Sequence, residues 1–389
     1  MNERIRNILF VLLRAAVCGD PLPDGSGELL TEEALPPLYE LAKRHDMAHL
    51  IGYVLAEQAL LEQDNPYYGK FYQQYMTAIY RYMQMNNELE RLCEALEQAE
   101  LPFVPLKGFV LRQYYPEPWM RTSCDIDILV HKQQLEKAKA CLEERLSYQI
   151  TGETSHDVSF FSPGGVHVEL HYQLIEERLS KKSARVLEKI WADASPKSGY
   201  RYWQEMSDAM FYFYHIAHMA KHFENGGCGI RPFLDLWILE HNVTHDDPCR
   251  NALLNEGGLL TFANAARQLA SVWFENAPHA GITGEMEQYI LYGGVYGTAK
   301  TRIAVQQNKK GGKLGYILSR AFLPYDSIKR LYPVLERHKW LTPWCEVRRW
   351  FGLLRREKAQ RMVRELSTNQ ALSKRDVEIT ARMLKELEL

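Results

Sequence analysis

The stretch MRTSCDIDILV, Met120 to Val130, sets Asp125 and Asp127 one residue apart inside an otherwise apolar run. A strand turns successive side chains to opposite faces, so the two aspartates share one side of a sheet while Ile126 and Ile128 share the other. Two carboxylates about 4 Å apart at an effective dielectric of about 20 repel by roughly 4 kcal/mol. A protein tolerates that where a cation lies between them or one is protonated, and a divalent metal ion is the simplest guest. Downstream, VHVELHY alternates in the same way, with Val166, Val168, Leu170 and Tyr172 on one face and His167, Glu169 and His171 on the other. If the two strands are neighbours, Asp125, Asp127 and Glu169 converge. Three carboxylates make a hard-oxygen environment that suits magnesium and, with two ions, in-line phosphoryl chemistry. A polar, solvent-facing edge without metal is the bland alternative for VHVELHY alone; the Asp-Ile-Asp run tips the balance toward metal.

Upstream, PLKGFVL runs a short strand into Gly108 and then a brief helix. Glycine permits a tight turn and close approach of a ligand, the first amides of the helix, near Phe109 and Val110, would cradle a phosphate, and Lys107 would add a positive charge. Glycine at a strand end is common; its place ahead of an Asp-x-Asp strand gives it weight. Three histidines, His215, His218 and His222, fall on one face of a later helix. No H-E-x-x-H motif accompanies them, so zinc is the weaker reading. Arg231 and Asp235, four apart on the next helix, are expected to form an ion pair.

The elements that must position these groups form an α+β arrangement. Residues 1–98 read as an N-terminal helical region, with Tyr68, Tyr72, Tyr75, Ile79, Tyr82, Leu89 and Leu96 along a stripe expected to be core. Residues 99–200 hold the short strands, the helix QQLEKAKACLEERL and a hairpin, DVSFFS-PGG-VHVELHY. Residues 201–389 return to helical periodicity, beginning near Ser207, whose hydroxyl can cap DAMFYFYHIAHMAKHF, and ending in a basic tail.

The composition, 46% hydrophobic and 25% charged over 389 residues, is that of a globular protein and argues against disorder. The best apolar run, ILFVLLRAAV, is too short to span a membrane and contains Arg14. With no recognisable secretory signal, the expected location is the cytoplasm. Seven scattered cysteines without a C-x-x-C pair suit free thiols. The net charge of −2 conceals an asymmetry: from Lys300 onward there are 21 Lys+Arg against 9 Asp+Glu. Such a tail fits either a solvated face folded back on an acidic body or contact with phosphates, so nucleic acid is an expected possible partner. Within it, WCEVRRWFGLLRREKAQRMVREL admits a core-packed helix with a basic outer face, a polyanion surface or a membrane-surface helix.

The series Leu106-Lys107-Gly108, Tyr115-Pro116, Arg121, Asp125-Ile126-Asp127-Ile128-Leu129-Val130 and Val168-Glu169-Leu170-His171 resembles the polymerase-beta-type nucleotidyltransferase superfamily. More narrowly, it is similar to a bacterial family of largely uncharacterised nucleotidyltransferases with a Leu-Lys-Gly and Arg-x-x-x-Asp-Ile-Asp signature. The resemblance implies a small, mixed, palm-like sheet flanked by N-terminal and C-terminal helical regions. It implies that Asp125 and Asp127 bind two magnesium ions and that Glu169 binds the catalytic ion or helps deprotonate an acceptor hydroxyl, with a nucleoside triphosphate as co-substrate. Lys107, Gly108, Arg121, His171, His218 and His222 are the expected nucleotide-side residues, His218 or His222 touching the base or the acceptor. Superfamily members usually follow the phosphate-turn glycine with serine; here Phe109 stands there. Arg121 would replace that contact as a phosphate clamp, or else pair with a neighbouring acid. The acceptor would be a protein, a sugar, a small molecule or an RNA end, and a catalytically silent nucleotide-binding or helical scaffold is the alternative to an enzyme.

Overall fold

The computed structural model describes residues 2–175, 180–295, 297–353 and 356–389. The chain opens with four helices: α1 (Glu3–Leu13), α2 (Leu35–Arg44), α3 (Ala48–Glu57) and the 33-residue α4 (Pro66–Gln98). The last begins where it does because the Asn65 side chain accepts from the Tyr67 amide and proline fills the first helical position. There follow β1 (Phe103–Pro105), the single-turn α5 (Gly108–Arg112), β2 (Asp125–Val130), α6 (Leu135–Leu146), β3 (Gln149–Glu153), β4 (Asp157–Phe161) and β5 (His167–His171).

These five strands form one mixed sheet in the order β1-β2-β5-β4-β3. The central pair, β2 and β5, is parallel; every other pairing is antiparallel. One face is apolar. Ile126, Ile128 and Val130 of β2, Val168 and Leu170 of β5, and Val158 and Phe160 of β4 pack with Leu89, Leu92 and Leu96 of α4 and with Ala138, Cys141 and Leu142 of α6. The opposite face carries Asp125, Asp127, His167, Glu169 and His171, as the two-residue alternation requires.

Beyond the sheet come α7 (Lys181–Leu187), α8 (Ile190–Asp193), the two-residue strands β6 (Ser195–Pro196) and β7 (Gln204–Glu205), and then helices to the end: α9 (Asp208–Glu224), α10 (Arg231–His241), α11 (Asp247–Gly257), α12 (Leu260–Phe274), α13 (Thr283–Gly293), α14 (Ala299–Lys309), α15 (Lys313–Ala321), α16 (Tyr325–Leu331), α17 (Thr342–Leu353), α18 (Arg356–Ala371) and α19 (Lys374–Glu386). Ser207 caps α9 through the Met210 amide. The N-terminal and C-terminal helices share a core that runs from Ile5 through Phe213, Phe233 and Trp273 to Leu387, and Val104, Leu106 and Leu129 reach into it from the sheet. Among the described residues no helix is long and apolar enough to cross a membrane.

One expectation changes. The tyrosine stripe of α4 is not core along its length: Tyr72 is 40% exposed, while Phe71, Ala78, Met85, Leu89, Leu92 and Leu96 are the buried positions. The reason lies in α3. A Cβ on Gly52 would sit 2.3 Å from the Phe71 carbonyl oxygen, so the two helices meet backbone to backbone along Phe71 and leave the tyrosines on the flanks. In the basic tail, Cys345 and Glu346 of α17 are buried, but Trp344 and Phe351 are 61% and 70% exposed. Residues 354–355, and the side chains of 353–361 and 364, lie outside the described part of that segment. Several tail cations are paired, Lys309 with Glu224 (3.2 Å), Arg320 with Glu365 (2.9 Å) and Arg349 with Glu346 (2.8 Å).

Because a Cβ at position 52 would meet backbone rather than a yielding side chain, Gly52→Ala is expected to lower stability by about 3 kcal/mol, read as a fall in the urea midpoint with an unchanged slope. A midpoint equal to that of the wild type would show that α3 and α4 pack less closely than described.

Candidate active site

Parallel pairing of β2 with β5 sets Asp125 opposite His167 and Asp127 opposite Glu169. The three carboxylates proposed from sequence are thereby brought to one patch of one face. Asp127 is the buried member, 3% exposed, and its Oδ1 accepts from both Lys107 Nζ at 2.6 Å and His171 Nε2 at 2.8 Å. His171 Nε2 also lies 3.4 Å from Glu169 Oε2. Burial alone would raise the Asp127 carboxyl, but the Lys107 ammonium and the His171 ring outweigh it and hold Asp127 well below the usual carboxylate range. The same contacts, working against burial, push His171 up to about 9 and Lys107 well above its ordinary value. Asp125 shifts the other way: burial and the neighbouring Asp127 charge raise its carboxyl.

Lys107 reaches Asp127 from a backbone that favours glycine, at φ 46° and ψ −122°, where the chain turns from β1 into α5. Gly108 follows. A Cβ there would lie 3.1 Å from Arg121 Nη1 and 3.2 Å from Ser123 Cβ, so the glycine makes room for the 121–123 segment that leads into β2.

Residues 120–122, just ahead, are fastened by four groups. His49 Nε2 meets the Met120 carbonyl at 2.8 Å, the Thr122 hydroxyl donates to Asp46 at 2.8 Å, Arg231 donates to the Thr122 carbonyl at 3.1 Å, and Arg121 Nε donates to Asp235 Oδ1 at 2.7 Å. Tyr115 donates to the same Asp235 oxygen at 2.7 Å. The expected Arg231–Asp235 pair does not form. Arg231 instead binds Asp46 Oδ2 at 2.6 Å and Asp235 binds Arg121, because Asp235 points into the core at 1% exposure while Arg231, at the start of α10, reaches the N-terminal loop. Of the two roles considered for Arg121, the structure places it with an acid, one distant in sequence.

Of the helical histidines, His215 binds the Pro232 carbonyl at 2.9 Å. His218 lines a cleft with Lys107, His171, Gln173, Leu174, Leu187, Tyr214, Ala217 and Lys221, while His222 does not line it and meets His218 at 3.1 Å, nitrogen to nitrogen. Burial, then His222, keeps His218 well below the ordinary histidine range, so its ring is neutral.

On this face of the sheet two sets of side chains present donor atoms within 4.8 Å of one another, Asp125–His167–Glu169 and Asp127–Glu169–His171, with Glu169 common to both. His167 went unassigned in the sequence although it alternates with Glu169 and His171; its register with Asp125 is the new information. Arg112 and Ser123 were also missed. Arg112 is 6% exposed and donates through Nη2 to the Ser123 hydroxyl at 2.8 Å, and nothing in GFVLRQYY signals that its arginine turns inward.

The model of a family described as uncharacterised nucleotidyltransferase matches residues 31–275, which takes in α2, the sheet and α9 to α12. No curated protein and no solved structure is similar enough to match.

The Arg121–Asp235 pair is expected to be structural. Asp235→Asn strands a buried guanidinium and is expected to cost about 4 kcal/mol, whereas an Arg121→Met, Asp235→Leu double variant loses clearly less. Chemical denaturation of the three chains tests this; equal losses for the single and double variants would remove the pairing argument.

Proposed function

The chain belongs to that family of nucleotidyltransferases, and we propose that it moves a nucleoside monophosphate from a nucleoside triphosphate to an acceptor hydroxyl, releasing pyrophosphate with the help of magnesium. The observation that carries the reading is the placement of Asp125, Asp127 and Glu169 on one face across the β2–β5 pair. The donor set suits the ion. Carboxylate oxygens are the ligands magnesium prefers, and Asp125, with a raised carboxyl and no hydrogen-bond partner among the described residues, is a carboxylate still in want of a cation. Asp125, Asp127 and Glu169 would hold two ions, with His167 and His171 at their borders. When bound, magnesium would draw the triphosphate to the sheet and stabilise the charge that builds on the leaving pyrophosphate.

The chain's own residues supply the rest. Lys107 and His171 keep Asp127 ionised, so it is ready as a ligand at neutral pH. In the transfer, the acceptor oxygen forms a bond to the α-phosphorus as the bridging oxygen to the β-phosphorus departs. Glu169, on the open side of the acid group, either holds the catalytic ion or takes the hydroxyl proton. The cleft beside Lys107 and His171 opens between the sheet and α9, and neutral His218 on its wall would hydrogen-bond the base or the acceptor without adding charge. The acceptor would be a protein side chain, a sugar, a small molecule or an RNA end.

Pyrophosphate release is expected from at least one of the four common nucleoside triphosphates with magnesium and to stop when the metal is chelated. Asp127→Asn, Asp125→Asn and Glu169→Gln are each expected to lower the rate by about a hundredfold or more. Release from Asp127→Asn at the wild-type rate would remove the proposal.

A further inference from the structure

Three arginines among the described residues are less than 9% exposed: Arg250, Arg121 and Arg112. The first two are neutralised. Arg250 binds Asp208 through Nε at 2.8 Å and Nη2 at 2.6 Å, and Arg121 binds Asp235 at 2.7 Å. Arg112 has no carboxylate within 4.0 Å among the described residues. It donates to the Ser123 hydroxyl at 2.8 Å and lies over the face of the Tyr82 ring, 5.6 Å from the ring centre, and its buried Nε has no hydrogen-bond partner among the described residues. A guanidinium cannot shed its charge at neutral pH, so taking one out of water against a single neutral oxygen is costly unless an anion arrives. The stress is visible in its proton affinity, which burial and the nearby Arg121 bring down to about 10.

The place of this uncompensated charge matters. Ser123 stands two residues ahead of Asp125, and its side chain also borders Gly108, where a Cβ would come within 3.2 Å of Ser123 Cβ and 3.5 Å of its Oγ. Arg112, Ser123 and Gly108 thus meet at the end of β2 from which the acids project. Ser123 thereby sets a hydroxyl beside Gly108.

We propose that Arg112 and Ser123 form the site for the phosphate chain of the nucleoside triphosphate, with Arg112 as the fixed countercharge to its non-bridging oxygens. This assignment rests on the nucleotidyl-transfer reading above. Guanidinium and phosphate match in geometry, two N–H groups to two oxygens, and Nε, orphaned here, is one of the donors such a contact uses. Substrate arrival would give Arg112 the anion that Asp208 and Asp235 give the other two buried arginines, while Ser123, now held by Arg112, would turn its hydroxyl to the same phosphate.

The full-length chain is tested with magnesium and inorganic tripolyphosphate as probe, by calorimetric titration and by melting. Wild type is expected to bind the probe and to melt higher with it. Arg112→Met is expected to weaken binding by about tenfold or more, yet to melt without ligand no lower than wild type, since it removes a buried unpaired cation; a merely structural arginine would lower that melting point. Arg112→Lys is expected to recover part of the affinity and Ser123→Ala to lose a smaller part. Undiminished affinity in Arg112→Met overturns the proposal; should that chain not fold, undiminished affinity in both Arg112→Lys and Ser123→Ala does so. Failure of the transfer reading looks different: the probe binds in an Arg112-dependent way, but no triphosphate releases pyrophosphate.

Discussion

The structure turns on one buried negative charge. Asp127 is 3% exposed in the central parallel pair of the sheet, and an isolated carboxylate there would be forced to take up a proton. Two cations converge on its Oδ1 instead, and each fixes a different part of the chain. His171 supplies one from β5, which sets the parallel register, because a slip of one residue would turn His171 and Glu169 to the apolar face and Leu170 to the acids. Lys107 supplies the other from the β1–α5 turn. Its left-handed backbone, at φ 46°, costs of the order of 1–3 kcal/mol for a residue with a side chain. Glycine would sit there without strain but would bring no ammonium, so the strain is the cost of placing a charge.

A charge held so closely needs a rigid surround, and the helices on both sides of the sheet provide it. Residues 120–122 lead into β2 and are gripped by His49 of α3 and Asp46 of the turn before it, and by Arg231 and Asp235 from α10. The sheet's own apolar face is closed by α4 and α6. The acid face is thus framed by chain segments on either side of it in sequence, and helices from both sides share the largest core. The span matched by the family model, residues 31–275, holds all four of the groups that grip residues 120–122.

Much of this was legible in the sequence, and the division follows range. Alternation in DIDILV and VHVELHY is a local property with a strict period of two, so it gave the faces of β2 and β5 and, once the strands paired, the convergence of Asp125, Asp127 and Glu169. The Ser207 cap and the hairpin turn are equally local and appear as read. What failed depends on distance. Arg231 and Asp235 are correctly spaced to meet on one helix turn, but each has a stronger partner more than 100 residues away. The tyrosines of α4 follow a good helical stripe, yet the buried line is set by Gly52 on another helix, through a backbone contact that no periodicity records. Arg112 was invisible for the same reason: burial of a charged side chain is decided by what closes over it, here Tyr82 and Ser123.

The charges around the sheet end are sorted by sign along a short length of chain. From Arg121 to Asp127 the sequence passes from guanidinium through Thr122, Ser123 and Cys124 to two carboxylates, and folding adds Arg112 to the positive end and Glu169 to the negative end. Lys107 and His171 compensate Asp127, and Asp235 compensates Arg121, which leaves Arg112 and Asp125 without a hydrogen-bonded countercharge among the described residues. A metal-bound triphosphate has the complementary pattern, cations at one edge and anionic oxygens at the other, and in the proposed reading it would relieve both groups at once. The positive end then needs one arginine already neutralised, to hold the backbone in place, and one left uncompensated, to receive the ligand. Arg121, locked to Asp235, and Arg112, whose one hydrogen bond among the described residues is to a hydroxyl, would divide that work.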